Sequence, residues 1–203
     1  MQDKENPLLT ILRDRLTPTP TFRWAADNLI DQIAHRTLRK LADRQTFVQT
    51  PLAPTVGTLM AGDVQIVPIY RGGISMLDAF LRLFPCSPVF FMGLKRAKIQ
   101  RQILDFYWHR PPESSDRVVI LDPMLATADS AVRALEFLEE AKFPFEKIYF
   151  DGVIASQPGF DRLASYIPAD HINVEAVDPG LDEDDYIVPG LGDWSDRYYG
   201  TPH

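Results

Sequence analysis

The segment DPMLATADS, from Asp122 to Ser130, has the residue types and spacing of a phosphate-binding loop. Four apolar residues, Val118–Leu121, run directly into its acidic first residue, and a helical pattern begins near Ser130. Where a parallel strand ends and a helix begins, unpaired backbone N–H groups and the positive end of the helix dipole point into one crevice. Small residues in the turn would let an anion approach that backbone, and Asp122 could accept hydrogen bonds from sugar hydroxyls. An ordinary strand–turn–helix, in which Asp122 and Ser130 only cap backbone groups, fits the same residues.

Other chemical motifs in the sequence are weak or missing. No GxxxxGK[ST] phosphate loop and no GxSxG nucleophile elbow occurs, and Cys86 has no identifiable base partner. The acidic run Asp182–Asp185 is more typical of a solvated loop than of a metal site. The histidines lack the spacing of zinc ligands. They are His35, His109, His171 and His203.

The bulk composition limits the classes of protein to which the chain can belong. Its 203 residues, 45% hydrophobic and 24% charged, fit one α/β domain whose core needs neither disulfides nor metals. A formal net charge of −7 argues against a broad nucleic-acid-binding surface. The sequence shows no secretory signal pattern and no run of about 18–20 apolar residues, so no membrane association is expected. The single cysteine, Cys86, permits a cytoplasmic location.

The order of the predicted elements places the loop in an α/β fold. An amphipathic helix over Thr21–Leu41, capped by Thr21, carries an apolar stripe that includes Trp24, and a Pro-rich connection, TPLAPTVGTLMAGD, follows it. Short apolar runs predict buried strands at Val64–Tyr70, Val89–Leu94, Val118–Leu121, Ile148–Ile154 and Ile172–Ala176. Helical patterns alternate with several of them at Ser75–Leu83, Ser130–Lys142 and Gly159–Tyr166. This alternation predicts a mostly parallel, doubly wound sheet flanked by helices.

Three segments lie outside that alternation, within what we interpret as one domain over residues 1–203. The N-terminal segment, residues 1–50, is predicted to be helical. The segment Lys95–Pro112 begins basic and ends aromatic, and we interpret it as an extended arm or hairpin beside the sheet. Its aromatic end, Phe106–Trp108, could stack on bases, but the acidic net charge favours packing against a partner subunit. The C-terminal segment, residues 178–203, is rich in Gly, Pro and Asp and is expected to wrap the domain as ordered loop.

Several long motifs together resemble the uracil phosphoribosyltransferase family. That family's loop reads DPMLATGGS where this chain has DPMLATADS, and its VPILRAGLGMMDG is similar to VPIYRGGISMLDA at Val67–Ala79. Its C-terminal YI-PGLGDAGD is similar to YIVPGLGDWSD at Tyr186–Asp196, which YYGT follows. Shorter similarities occur at NPLL, FRWA and TPLA, in the same order and at agreeing spacing. The resemblance covers essentially the whole chain and implies a phosphoribosyltransferase-like fold with residues 178–203 as a hood over the base.

The resemblance implies a binding site for phosphoribosyl pyrophosphate (PRPP). Arg71 and Arg96 match arginines that contact its phosphates, and Asp193 matches an acid near the pyrophosphate and its magnesium. The ribose hydroxyls and the 5′-phosphate would be held by Asp122, Pro123, Met124, Leu125, Ala126, Thr127, Ala128, Asp129 and Ser130. The implied catalytic residues are Asp122, Asp193 and Arg71. Mg²⁺ is the implied cofactor, bound through the pyrophosphate near Asp193 rather than in a dedicated protein site.

The resemblance also implies the second substrate and the partners. The family recognises uracil largely through main-chain groups at positions matching Ile187, Gly192, Asp193 and Trp194. The implied reaction joins uracil N1 to C1 of the ribose through an oxocarbenium-like state while pyrophosphate leaves, and it gives UMP. A homodimer formed through the 95–112 arm is implied as well, and GTP is an effector of some relatives.

This chain departs from the family pattern inside the motifs. Ala128 and Asp129 replace the paired glycines of the loop, and an alanine held in left-handed backbone costs on the order of 1–2 kcal/mol. Asp129 also adds a carboxylate that should repel a phosphate unless it turns outward. Tyr70, Ser75 and Trp194 replace a leucine, a glycine and an alanine, and Trp194 could narrow or fill the uracil site. Two hypotheses stay open at this point: an active enzyme, or an impaired relative that binds a nucleotide, PRPP or a protein partner in a regulatory role.

Overall fold

Strands and helices are interspersed along the chain, and the parallel strands of the central sheet are joined in part by helices. The computed structural model describes residues 6–60, 62–96, 103–108 and 116–201. The helices are α1 (Pro7–Arg13), α2 (Thr19–Leu41), α3 (Ile74–Leu83), α4 (Asp129–Glu140), α5 (Gln157–Ala164) and α6 (Trp194–Tyr199). The strands are β1 (Arg44–Gln49), β2 (Pro54–Leu59), β3 (Val64–Tyr70), β4 (Met92–Arg96), β5 (Ile103–Trp108), β6 (Arg117–Leu121), β7 (Met124–Leu125), β8 (Ile148–Asp151), β9 (Ile154–Ser156), β10 (Ile172–Asn173), β11 (Ala176–Asp178), β12 (Gly180–Leu181) and β13 (Ile187–Val188). Within these residues, no helix is both long and apolar enough to cross a membrane.

The central sheet has the strand order β10-β8-β6-β3-β4-β5. All of its pairs are parallel except the last, in which β5 runs antiparallel to β4 at the edge. β3 and β6 are buried along nearly their whole length because helices cover both faces of the sheet. One face packs against α1, α2, α3 and α6, and the other packs against α4 and α5. This architecture confirms the predicted α/β fold.

Two of the predicted strands are interrupted because the chain bends within them. The predicted strand Ile148–Ile154 is divided into β8 and β9, and Ile172–Ala176 is divided into β10 and β11. Gly152 lies at the first bend, where an added Cβ would come within 2.7 Å of the carbonyl oxygen of Asp122. Beyond the bends, β7, β9 and β11 form a small parallel sheet. The bends therefore carry the chain from the central sheet to the small sheet that begins inside the predicted phosphate loop.

The first long helix differs from its prediction in where it begins and in the face that it buries. α2 starts at Thr19 after Pro18, so the predicted cap, Thr21, lies inside the helix. Trp24 was expected in the apolar stripe, but its side chain is 55% exposed. Phe22 is fully buried instead. The packing against the sheet, rather than the size of the side chain, decides which aromatic residue is covered.

The Pro-rich segment that was predicted as a connection forms half of a β-hairpin. β1 and β2 pair antiparallel from Arg44↔Leu59 to Gln49↔Pro54. In the turn, the Thr50 hydroxyl donates a 2.7 Å hydrogen bond to the carbonyl oxygen of Ala53. Pro54 is tolerated because it stands at the start of its strand, where a ladder donor can be missing. The hairpin projects apolar side chains into solvent.

The predicted arm over residues 95–112 is described only in part. β4 and β5 form an antiparallel pair at the edge of the central sheet, with a register shift between Gly93 and Leu94. The predicted strand Val89–Leu94 is shorter at its start, because regular pairing begins at Met92. Residues 97–102 and 109–115 lie outside the described residues, so the part of the predicted arm that falls on them is not compared with the structure.

The C-terminal segment is more regular than the predicted loop, and it is tied to the N-terminus. It contains the antiparallel pair β12–β13 and the helix α6. Arg13 of α1 donates hydrogen bonds of 2.7 and 2.8 Å to the carboxylate of Asp178, and one of 2.9 Å to the carbonyl oxygen of Gly190. Arg197 of α6 donates to the carbonyl oxygens of Leu12 and Leu191. These arginines hold the segment over the carboxyl ends of the sheet strands.

Candidate active site

A crevice of about 350 Å³ opens at the carboxyl ends of β3 and β6. Ligands of open α/β sheets bind at this edge. The crevice is lined by the residues that follow β3, by the loop that follows β6, and by the C-terminal segment. Of the residues predicted for the site, those that line it are Arg71, Asp122, Pro123, Met124, Ala126, Ser130, Asp193 and Trp194. The structure thus brings together groups that are far apart in the sequence.

The loop that follows β6 is fixed by its own backbone and side chains. Asp122 Oδ1 accepts a 3.3 Å hydrogen bond from the N–H of Met124. The strand β7 lies within the loop and pairs with β9, which buries the side chain of Leu125 in the core. Leu125 therefore offers only its backbone to a ligand. α4 begins at Asp129, so its first N–H groups belong to the loop.

One face of α5 holds the carbonyl groups of this loop. The hydroxyl of Ser156 donates to the carbonyl oxygen of Ala126 at 2.5 Å. An added Cβ at Gly159 would come within 2.2 Å of the same oxygen. Arg162 Nη1 donates to the carbonyl oxygen of Thr127 at 2.8 Å. Ser156 ends β9 and caps α5, and its spacing of three to Gly159 and of three more to Arg162 puts these residues on one side of the start of the helix. This spacing was the available sequence signal for a support that was not predicted.

The two residues that replace the paired glycines have different consequences. Ala128 has φ 64° and ψ 6°, so a left-handed backbone is required and alanine bears its cost. Asp129 accepts a 2.7 Å hydrogen bond from the hydroxyl of Thr127 and forms an ion pair with Arg162. Among the described residues that line the crevice, neither Asp129 nor Thr127 nor Ala128 occurs. The carboxylate of Asp129 is therefore turned toward α5.

Arg71 lies at the crevice on the segment that follows β3. Its Nη2 donates to Asp196 Oδ1 at 3.0 Å and its Nη1 donates to the hydroxyl of Thr201 at 3.4 Å. The side chain is 41% exposed, so a ligand can reach it. The hydroxyl of Tyr199 donates to the Arg71 carbonyl oxygen, and burial raises the pKa of Tyr199, which keeps that donor protonated. The backbone of Arg96 lies in β4 at the sheet edge, and its side chain is outside the described part of the chain.

Trp194, at the start of α6, has a side chain buried in the core, and the residue also borders the crevice. Its indole is 1% exposed and packs edge-to-face on Phe22 and stacked on Tyr198. The indole N–H donates to the hydroxyl of Ser75 at 2.9 Å, and that hydroxyl donates to the carbonyl oxygen of Gly72 at 2.7 Å. The serine and the tryptophan that replace small family residues are thus hydrogen-bonded to each other.

The other residues predicted to contact the base are arranged around the start of α6. Asp193 Oδ1 accepts a 2.9 Å hydrogen bond from the N–H of Asp196, so Asp193 caps that helix. Ile187 is a buried residue of β13, and Gly192 has a left-handed φ of 79°. Neither Ile187 nor Gly192 is among the described residues that line the crevice. Their predicted role depends on main-chain groups.

Among the described residues at the crevice, the carboxylates outnumber the cations. Asp122, Asp184, Asp185 and Asp193 line it together with Arg71. Asp184 and Asp185, which belong to the acidic run that was interpreted as a solvated loop, therefore border the crevice. In the described ranges, no group of three or more His, Cys, Asp or Glu side chains is arranged to hold a metal ion. Scattered carboxylate oxygens fit Mg²⁺ that arrives with phosphates, because this ion usually takes one or two carboxylates plus substrate phosphates.

Solved structures share the architecture of this chain. The AQ2163 protein from Aquifex aeolicus aligns with a TM-score of 0.78 and 28% identity, over 96% of this chain and 93% of that one. A hypoxanthine phosphoribosyltransferase from Staphylococcus aureus aligns with a TM-score of 0.52 and 12% identity, over 93% of this chain and 94% of that one, which shows a shared fold alone. The fold, with its crevice at the strand ends, is that of the phosphoribosyltransferases.

Sequence comparison identifies the family within this class. The family profile "Uracil phosphoribosyltransferase" matches residues 5–201. The uracil phosphoribosyltransferase of Synechococcus elongatus is 36% identical over 199 residues, which are 96% of this chain and 92% of that protein. That of Roseiflexus sp. (strain RS-1) is 38% identical over 194 residues, 95% of this chain and 92% of that protein. The chain belongs to the uracil phosphoribosyltransferase family.

Proposed function

We propose that the protein transfers the phosphoribosyl group of PRPP to uracil and releases UMP and pyrophosphate. The observation that carries this proposal is the crevice in which Arg71, Asp122 and Ser130 meet the C-terminal segment. Relatives named uracil phosphoribosyltransferase, 36–38% identical over most of the chain, support the same reaction. The alternative of an impaired regulatory relative is not favoured by these comparisons.

The loop is suited to bind the ribose 5′-phosphate. Its carbonyl groups at Ala126 and Thr127 are taken by α5, so they do not face the crevice as competing negative dipoles. The first N–H groups of α4 lie at the positive end of its dipole, and that of Asp129 donates a 3.4 Å hydrogen bond to the hydroxyl of Thr127. Ser130 lines the crevice and adds a hydroxyl donor. Together these groups form an anion-binding helix N-terminus of the ordinary kind.

We propose that Asp122 binds the ribose of PRPP and that Arg71 binds its pyrophosphate. Asp122 would accept hydrogen bonds from the ribose hydroxyls and so fix the ring. Arg71 would leave Asp196 and pair with the pyrophosphate, where its charge offsets the charge that develops on the leaving group. The N1–C1 bond forms as the C1–O bond breaks, the bonding electrons leave with pyrophosphate, and the N1 proton passes to solvent. Positioning and electrostatic stabilisation would provide most of the acceleration.

The base would lie under the C-terminal segment. We propose that main-chain groups of Ile187, Gly192, Asp193 and Trp194 recognise it, because backbone donors and acceptors suit an edge with two carbonyl groups and an N–H. The hydrogen bonds of Arg13 and Arg197 to the carbonyl groups of this segment hold it in place before the base arrives. Preorganisation of this type lowers the ordering cost of binding.

Magnesium is the cofactor that we propose, held near Asp193 through the pyrophosphate oxygens. Bound there, it would neutralise part of the charge on the leaving group. Four carboxylates at the crevice support this proposal, since a polyanion could hardly bind beside them without a divalent cation.

We also propose an assembly for the protein. A homodimer is supported by the exposed apolar residues of the β1–β2 hairpin, among which Phe47 is 86% and Leu52 is 96% exposed. The contribution of the 95–112 arm to that dimer, the GTP effector and the cytoplasmic location stay predictions.

The base specificity can be tested by pyrophosphate release. Purified protein with PRPP and Mg²⁺ should release pyrophosphate when uracil is added and should not do so with adenine, hypoxanthine or cytosine. The Arg71→Gln variant should lose most of this release while keeping its fold by circular dichroism. Release with a purine base but not with uracil would contradict the proposed substrate.

A further inference from the structure

The acid at position 129 presents an electrostatic problem for a phosphate-binding loop. Asp129 is the first residue of α4, so its backbone lies where the helix dipole attracts anions. A carboxylate that occupied this region would compete with the 5′-phosphate for the same N–H groups and would also repel it. The loop can bind phosphate only if the carboxylate is held elsewhere.

The described contacts of Asp129 point its carboxylate away from the crevice. Oδ2 accepts the hydroxyl of Thr127 at 2.7 Å, and Oδ1 contacts Nη1 of Arg162. Asp129 is not one of the described residues that line the crevice, whereas the next residue, Ser130, is. The turn therefore separates the side chain of the acid from the surface that a ligand would contact.

Arg162 is itself held at the back of the loop by a second contact. The same Nη1 donates a 2.8 Å hydrogen bond to the carbonyl oxygen of Thr127. Arg162 lies on α5, one helical turn after Gly159, whose missing Cβ lets the helix approach the loop backbone. The guanidinium is thus fixed by the element that supports the loop.

This ion pair is poorly suited to a role in stability alone. The side chain of Arg162 is 43% exposed and that of Asp129 is 36% exposed. Ion pairs with this exposure contribute little to folding, because solvent screens them and the side chains lose entropy. Their geometry can still decide where a charge lies.

We propose that Arg162 is a positioning residue, which holds the carboxylate of Asp129 out of the anion site so that the loop can bind the 5′-phosphate of PRPP. The inference rests on the proposed function for the identity of the ligand. It concerns the affinity for the phosphate end of that ligand and not the transfer step. The acid stands where the family motif DPMLATGGS has its second glycine.

A double-mutant cycle on PRPP binding tests this role. The full chain and the variants Arg162→Ala, Asp129→Asn and Arg162→Ala/Asp129→Asn would be titrated with PRPP and Mg²⁺ in a calorimeter. Arg162→Ala should raise the Kd about tenfold, as expected for a like charge released beside a bound phosphate. In the Asp129→Asn background, the same substitution should raise the Kd by a clearly smaller factor, because no charge is left to restrain and only the hydrogen bond to the carbonyl oxygen of Thr127 is lost. Arg162→Lys should restore part of the affinity.

Matched controls separate positioning from charge or folding. Arg39→Ala removes an exposed arginine from α2 and should leave the Kd unchanged. The KM for uracil should stay constant in Arg162→Ala, which a general loss of structure would not allow. If Arg162→Ala cost the same affinity in the unaltered chain and in the Asp129→Asn background, the proposal would be overturned, because Arg162 would then act on the phosphate itself or on the fold. Absence of PRPP binding by the unaltered protein would overturn it as well. Binding without UMP formation would instead contradict the proposed function and leave this inference supported.

Discussion

At the scale of single residues, the two neighbouring substitutions in the turn before α4 have different effects, one on conformational energy and one on electrostatics. Ala128 affects the conformational energy of the turn, because its φ of 64° lies in the left-handed region. Asp129 affects the electrostatics of the turn, and its contacts with Thr127 and Arg162 restrain that effect. The motif comparison predicted the cost at the first position. It could not predict the restraint at the second, because the partner arginine lies 33 residues further along the chain.

Replacement of Ala128 by glycine should stabilise the protein. Relief of the left-handed alanine is worth about 1–2 kcal/mol, and the greater freedom of glycine in the unfolded chain offsets about 0.4–1 kcal/mol of that gain. We therefore expect a small increase in the free energy of unfolding, measured with urea. Ala134→Gly is the matched control, because this residue lies inside α4 and should destabilise the helix by about 1 kcal/mol or more. A loss of stability in both variants would contradict the left-handed turn.

A buried carboxyl group gives the stability a pH dependence. Asp151 is fully buried, and burial raises its pKa to about 7, although Thr37 and Asn173 donate hydrogen bonds to it. The folded state therefore holds a proton that the unfolded chain releases above its ordinary pKa of 3.8. The contribution of this group to stability is fully present below that value and is lost as the pH rises toward 7.

The Asp151→Asn variant tests this pH dependence. Asparagine keeps the shape and the acceptor oxygen, so the variant should lose the decline of unfolding free energy between about pH 4 and pH 7 that the group causes. Urea unfolding at several pH values measures it, and Asp170→Asn, at an exposed site, is the control. The profile of Asp151→Asn must differ from that of the unaltered protein; identical profiles would show that this group does not titrate as inferred.

At the scale of elements, the site depends on ties between segments that are distant in the sequence. α5 supports the phosphate loop, and Ser75 of α3 joins Trp194 of α6. The strand–turn–helix of the loop was predictable because apolar runs and turn residues are local signals. The division of Ile148–Ile154 into two strands and the β1–β2 hairpin were not, because Gly152 packs against a distant backbone and the Pro-rich composition hid the pairing.

The hydrogen bond between Ser75 and Trp194 should appear as an energetic coupling. Ser75→Ala and Trp194→Phe each remove the bond, and Phe keeps much of the contact with Phe22. In a double-mutant cycle by urea unfolding, the two substitutions should couple by about 1 kcal/mol, the usual net contribution of a hydrogen bond. The control cycle pairs Trp194→Phe with Arg133→Ala, which lies on α4 on the other face of the sheet. The effects of these two substitutions should be additive. If the effects of Ser75→Ala and Trp194→Phe were additive, the hydrogen bond between these residues would be refuted.

At the scale of the whole molecule, the fold and the family follow from features spread over the chain. Motifs that are far apart in the sequence meet at one crevice, with Arg71 and Asp193 about 120 residues apart along the chain. The sequence motifs indicated this fold because they lie in the loops at the crevice and occur in the same order and spacing as in the family. The exposed apolar hairpin was not predicted, since exposure depends on what lies beside a strand and not on its own residues.

The hairpin should take part in a dimer. Phe47 and Leu52 are almost fully exposed, which is unusual for large apolar side chains unless a partner covers them. The unaltered protein should elute as a dimer from gel filtration at micromolar concentration, and Phe47→Ser/Leu52→Ser should shift it toward monomer. Gln45→Ser/Thr58→Ser on the same hairpin should not. A monomeric unaltered protein would rule out this role.

Formation of UMP is the measurement that tests the central claim most directly. Purified protein would be incubated with labelled uracil, PRPP and Mg²⁺, and the products would be separated by chromatography beside a heat-killed control. We predict labelled UMP with the unaltered protein, and at least about a hundredfold less with Asp122→Asn, since a positioning and electrostatic contact at the ribose would be lost. No UMP above the heat-killed control would contradict the account, even if PRPP were bound.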